Sequence, residues 1–123
     1  MFCTIICSYN TPEMTDRVVK ELLRGKKHDI YVLDNSSNEE QVYKNDKVEV
    51  IDLGRENVGF GGMHDYIFTE PRFRKYDFVG IFNNDIYDIP ENYFETIEKN
   101  IDGSEGIVSS AIKKDGSGWE QMW

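Results

Sequence analysis

Between Phe2 and Asp34 two short apolar runs, Phe2–Cys7 and Ile30–Leu33, flank a segment whose apolar residues return at every fourth place: Met14, Val18 and Leu22, with Val19 and Leu23 alongside. Short, near-continuous apolar runs are strands buried on both faces, and a four-residue recurrence is one stripe of an amphipathic helix. Thr11 stands where an N-cap belongs, Pro12 takes the first helical position, where a missing N–H costs nothing, and Gly25 suits the stop. A helix of about twelve residues is the length that a crossover between parallel strands requires. The unit therefore reads as βαβ. The fold class it predicts is α/β, with a mostly parallel, Rossmann-like sheet flanked by helices.

Sheets of this kind bind ligands beyond the carboxyl ends of their strands. Ser8-Tyr9-Asn10 follows the first strand and Asp34-Asn35-Ser36-Ser37 the second. Residues 38–45 read as a short, mostly solvated helix anchored by Val42 and Tyr43, and Val48 to Leu53 as an edge strand. Phe78 to Phe82 is a further apolar run, expected to be buried on both faces, and it stops at Asn83-Asn84-Asp85. Asn10, Asp34 and Asp85 are thus placed at one edge of the sheet, with Asp88 three residues further on. A carboxylate in such a place can hold a hard divalent cation, and the cation a diphosphate. A polar turn capping the next helix would use the same residues.

The segment Gly54-Arg55-Glu56-Asn57-Val58-Gly59-Phe60-Gly61-Gly62 is rich enough in glycine for its backbone N–H groups to approach a phosphate or sugar, and equally suits a flexible connector. It fits neither a P-loop nor a dinucleotide fingerprint. A helix is expected from Met63 to Phe68, ended by Pro71, with Arg72, Arg74 and Lys75 on a solvated turn. Pro90 is expected to open another helix, with Phe94, Ile97 and Ile101 as its stripe and Gly103 near its end. Glu105 to Ile112 reads as a strand, Asp115-Gly116 as a hairpin signal, and Trp119 and Trp123 as residues that close over the cleft or mark a cut from a longer chain.

A length of 123 residues sets one domain, and 39% hydrophobic residues argue for a folded chain. The net charge of −9 speaks against nucleic acid and anionic membranes as partners, and requires a local cation wherever an anion is to bind. No apolar run approaches the roughly 20 residues of a membrane span, and Met1 leads straight into a strand, so the chain reads as cytoplasmic. Cys3 and Cys7 lie on one strand, at about 3.3 Å of rise per residue, too far apart for a disulfide. They read as reduced core thiols.

Taken together, Ile5-Ile6-Cys7-Ser8-Tyr9-Asn10, Val32-Leu33-Asp34-Asn35-Ser36-Ser37, Asn57-Val58-Gly59-Phe60-Gly61-Gly62 and Phe82-Asn83-Asn84-Asp85 resemble the amino-terminal, nucleotide-sugar-binding half of family-2 glycosyltransferases with the GT-A fold, in the rhamnosyl- and galactofuranosyltransferase-like branch. The resemblance implies that Tyr9 and Asn10 line a nucleotide pocket and that Asp34 accepts hydrogen bonds from the base or ribose. It implies that Asn57 and Gly59 shape the diphosphate side, with Asn83 and Asn84 beside the donor. Asp85 would be the last residue of the DXD-type motif, binding Mn²⁺ or Mg²⁺. The implied donor is a nucleotide diphosphate-sugar, and the acceptor a glycan or lipid-linked hydroxyl. The chain departs from the family pattern at Asn83, where the motif's first carboxylate belongs, and at His64-Asp65, where the family carries Asn or Arg-Asn. The family's general base and acceptor-binding half would lie past Trp123, so residues 1–123 read as a shortened, single donor-binding domain.

Two other classes use the same features. A non-catalytic interaction module would keep the fold and offer the cleft to a partner protein. A receiver-type doubly wound domain would need a closely paired acidic site and a lysine at a late strand end, for which Lys113 and Lys114 are poor candidates. Neither the donor's base and sugar nor the oligomeric state follows from the sequence.

Overall fold

A computed structural model describes residues 1–25, 28–104 and 106, and the backbone of 112–113 and 120–121. Strands β1 (Phe2–Ser8), β2 (Asp29–Asp34), β3 (Glu49–Asp52) and β4 (Phe78–Asn83) form one parallel sheet in the order β3-β2-β1-β4. Helices α1 (Pro12–Leu23), α2 (Gly59–Thr69) and α3 (Tyr93–Asn100) flank it. The expected α/β class is therefore the observed one. Strands β5 (Ile112–Lys113) and β6 (Glu120–Gln121) pair antiparallel. Asp115-Gly116, Trp119, Trp123, Lys114 and most of the expected strand 105–112 lie outside the described residues.

Successive side chains of a strand point to opposite faces, and the two cores follow that alternation. Cys3, Ile5 and Cys7 of β1 join Tyr31 and Leu33 of β2 under Met63 and Ile67 of α2, with Phe73 and Tyr76 closing the layer. Ile6, Ile30 and Val32 face the other way, against Val18, Val19 and Leu22 of α1, Phe94 of α3, and Tyr43 and Ile89. The α1 stripe buries Thr15 as well, whereas Leu23, expected beside the stripe, is half exposed.

Several expectations are corrected. Phe78–Phe82 is half-buried rather than buried on both faces, because β4 is an outer strand of the described sheet. Residues 38–45 hold a single 3-10 turn, Glu39–Gln41, because the Tyr43 N–H is taken by the Asp34 carboxylate instead of closing a helix. Helix α2 begins at Gly59, four residues ahead of the expected start, so three of the glycines lie in its first turn. Pro90 precedes α3 by a turn, closed by Tyr93 N donating to the Pro90 carbonyl. Thr11 does cap α1 in position, but its hydroxyl donates to Tyr9 O and makes no cap bond.

The order 3-2-1-4 means that the chain moves outward from β1 through β2 to β3, then returns across α2 to the other side of β1. The strand order therefore reverses at β1, and in open parallel sheets ligands bind outside the carboxyl ends at such a reversal, although here α1 after β1 and α3 after β4 pack on the same face. No helix among the described residues is long and apolar enough to cross a membrane.

Gly25 ends α1 for a packing reason: a Cβ there would lie 2.8 Å from the Glu91 carbonyl oxygen. Backbone cannot yield as a flexible side chain does. Gly25→Ala should therefore destabilise the fold by about 1–3 kcal/mol in urea titration, with unchanged far-UV helicity. Stability equal to wild type would mean that the 91–95 turn moves freely.

Candidate site at the carboxyl edge of the sheet

Strand register sets the edge. Ser8 pairs with Asp34, Asp34 with Asp52, and Cys7 with Asn83, so four strands end at one level. Helix α2 leaves from this edge and runs back to the start of β4, which turns the positive end of its dipole toward the same side.

The turn after β2 holds the edge together. Asn35 is fully buried, and its Nδ2 donates to Gly54 O at 3.0 Å and to Glu56 O at 2.8 Å. Its Oδ1 accepts from Val58 N at 2.9 Å, and its own N–H donates to Ser8 O at 3.0 Å. Asp34 is also fully buried. Its carboxylate accepts from Ser36 N at 2.9 Å and Tyr43 N at 3.2 Å, while its carbonyl accepts from Leu53 N at 2.8 Å. Asp34 thus sits at the expected edge with its side chain turned into the fold.

Tyr9 and Asn10 leave β1 in a tight turn, Asn10 at φ 55°, a left-handed conformation that Asn tolerates. The Asn10 N–H donates to Ser36 Oγ at 3.1 Å, and its Oδ1 accepts from Ser37 N at 2.8 Å and Ser37 Oγ at 3.0 Å. Tyr9 remains 43% exposed, while Asn10 is half-buried with its Oδ1 bonded to Ser37.

Just past β4, Asn84 reaches the start of α1: its Nδ2 donates to Thr11 Oγ1 at 2.6 Å and Thr15 Oγ1 at 3.1 Å. Thr15 in turn donates to Ser8 Oγ at 2.7 Å. Asn83 and Asp85 on either side are exposed. Asp85 makes no hydrogen bond or ion pair among the described residues.

Asn57 and Gly59 are exposed, and Asn57 Oδ1 accepts from Gly59 N at 2.9 Å. Gly59 has φ 71°, and a Cβ at Gly62 would lie 2.8 Å from Val58 Cβ, so both glycines are required for the entry into α2. The first-turn N–H groups of Phe60 and Gly61 have no acceptor within a helix. His64 is a helix-surface residue whose Nδ1 donates to Phe60 O at 2.8 Å. Asp65 is exposed.

Every buried side-chain nitrogen and oxygen among the described residues has a partner. The edge is self-satisfied, so a ligand would meet the exposed set: Tyr9, Asn57, Asn83, Asp85 and the start of α2. Among the described residues no group of three or more His, Cys, Asp or Glu side chains converges to hold a metal. A Mg²⁺ or Mn²⁺ bound mainly through substrate phosphates needs only one or two carboxylates, and Asp85 with the neighbouring Asn83 amide fits that smaller requirement. Shallow depressions occur instead along the charged face of α1, by Asp16, Arg17 and Lys20, and between Gly25 and Glu95. They are gaps between solvated charges and lack convergent buried polar groups, so the sheet edge remains the better site.

Sequence reasoning gave no role to Asn35 or to the Ser8 and Thr15 hydroxyls, and it placed Asn84 beside the donor without its bonds to Thr11 and Thr15. The available signal was Asp-Asn-Ser-Ser at a strand end, a cluster of side chains that bond local backbone. No family model, curated protein or solved structure matches this chain.

Burial pushes the Cys7 thiol up to about 11 and Cys3 to about 12, the latter helped by the Asp29 carboxylate. Both thiols should resist iodoacetamide at pH 7.5 in the folded protein and react in urea; alkylation of folded protein at the rate of free cysteine would contradict their burial. Asp34→Ala should cost about 1–3 kcal/mol of stability with no nucleotide present, because two buried N–H groups lose their acceptor. Unchanged urea stability would leave Asp34 free for a ligand role.

Proposed function

We propose that this chain is a donor-binding domain of the glycosyltransferase type, which holds a nucleotide diphosphate-sugar with Mn²⁺ or Mg²⁺ at the carboxyl edge of its sheet. The observation that carries the reading is an exposed Asp85 just past the carboxyl end of β4, beside β1, where the strand order reverses. The resemblance of four separate motifs, each of which ends at this edge, supports it.

In this reading the Tyr9 ring offers a stacking face to the base, and the start of α2 offers N–H groups and a positive dipole end to the phosphates. Asp34 supports the pocket through the 36–43 turn. Asn83 and Asp85 supply oxygen ligands to the ion. When bound, the ion provides Lewis-acid stabilisation of the departing nucleoside diphosphate. The receiving hydroxyl belongs to a glycan or a lipid-linked sugar.

Asp85→Ala should remove the metal-dependent part of diphosphate binding and leave the fold intact, since the carboxylate is exposed and packs against nothing. The comparison is calorimetric titration of UDP, GDP and dTDP into wild type and variant, each with Mn²⁺ and with chelator. Equal strengthening by Mn²⁺ in both proteins would make Asp85 a turn residue, and no binding of any of the three to folded wild type at millimolar concentration would overturn the reading.

A further inference from the structure

We propose that Asn35 is the positioning residue of this edge: its buried amide fixes the Gly54–Val58 segment, and through it the first turn of α2, against the ends of β1 and β2. This deepens the donor-site reading by naming what holds the phosphate side in place; the mechanical part stands without that reading.

The geometry is specific. One amide side chain bonds three backbone groups of the same loop, at Gly54, Glu56 and Val58, over 2.8 to 3.0 Å. The segment has positive φ at both ends, 87° at Gly54 and 71° at Gly59, so it joins the sheet and α2 through two glycine corners. Its residues 56–59 are exposed and bury no side chain to hold them. Gly54 N donates to Asp52, and Arg55 bonds Asp52 and the Asn38 carbonyl, but both of these reach only its first two residues; from Glu56 to Val58 the Asn35 bonds carry its placement. Meanwhile the Asn35 N–H is tied to Ser8 O, so the anchor itself is part of the sheet. Val58 is the last residue before α2, and a shift there moves the Gly59, Phe60 and Gly61 N–H groups directly.

Asp cannot replace Asn here, because a carboxylate offers no N–H to the Gly54 and Glu56 carbonyls. Residue-resolved amide hydrogen exchange reads the effect. In wild type the Val58 amide should be protected to the level of β2 amides although its side chain is exposed. In Asn35→Asp and Asn35→Ala, amides of 54–62 should exchange about tenfold faster or more, while β1 and β2 amides change far less. Diphosphate affinity should fall about tenfold, with the gain from Mn²⁺ retained, since Asp85 is untouched. Should both variants fail to fold, Val58→Pro, which deletes the one N–H donated to Asn35 from the loop side, should speed exchange of 59–62 alone. An unprotected Val58 amide in wild type, or acceleration spread evenly over the sheet, would overturn the proposal. If wild type binds none of UDP, GDP or dTDP with Mn²⁺, the donor reading fails, and the exchange pattern still decides the role of Asn35.

Discussion

The carboxyl edge depends on two adjacent side chains that never reach solvent, Asp34 and Asn35. Burial of an amide or carboxylate is tolerable only when its hydrogen bonds are made, and leaving one unmade costs about 1–3 kcal/mol. Between them these residues bind the backbone of three separate segments: 36–43, 53–58 and the end of β1. Such an arrangement is all or nothing. Moving one segment strands the groups that hold the next, which makes two loops and the end of β1 behave as one piece of scaffold.

Charge explains why a cation belongs to the functional reading. The chain carries a net charge of −9, and Asp52, Asp65, Asp85 and Asp88 lie on or near the loops of this edge. Arg55 is the cation on the glycine-rich segment, yet it is already engaged by Asp52, by Glu39 at 3.8 Å and by the Asn38 carbonyl at 3.1 Å. Its charge is largely neutralised locally, so a diphosphate arriving alone would meet a field of the wrong sign. The partly exposed N–H groups at the start of α2 reduce that repulsion without reversing it, being equivalent to about half a charge.

Strands and α1 were legible because their signals are periodic and their burial is double. β1 and β2 are apolar on both faces and are flanked by two cores, and the α1 stripe repeats for three turns. What was not legible is set by single long-range hydrogen bonds. The 38–45 segment has enough polar residues for a helix, but Asp34 claims the Tyr43 N–H. Thr11 has the residue type of an N-cap, but its hydroxyl serves Tyr9 and Asn84. β4 has the composition of a doubly covered strand, and its half-burial follows from sheet order, which no local pattern encodes. The glycines from 59 to 62 read as loop on propensity alone, whereas Gly59 and Gly62 are demanded by the left-handed entry and the close approach of Val58.

The position of Asn84 restricts how a ligand can sit. Its amide ties the chain just past β4 to the start of α1 through bonds to Thr11 and Thr15. In the donor-binding reading a ligand lies outside that bridge and meets the exposed Tyr9, Asn83 and Asp85. Since the polar groups beneath are already paired, binding need not order them, and the cost of fixing the pocket is met in folding rather than in association. The same pairing places specificity in few hands. In the donor-binding reading, with Asp34, Asn35 and Asn84 committed to the scaffold, discrimination between bases falls mainly to the exposed Tyr9 ring and to groups around it, which favour planar stacking over side-chain readout of a base's edge.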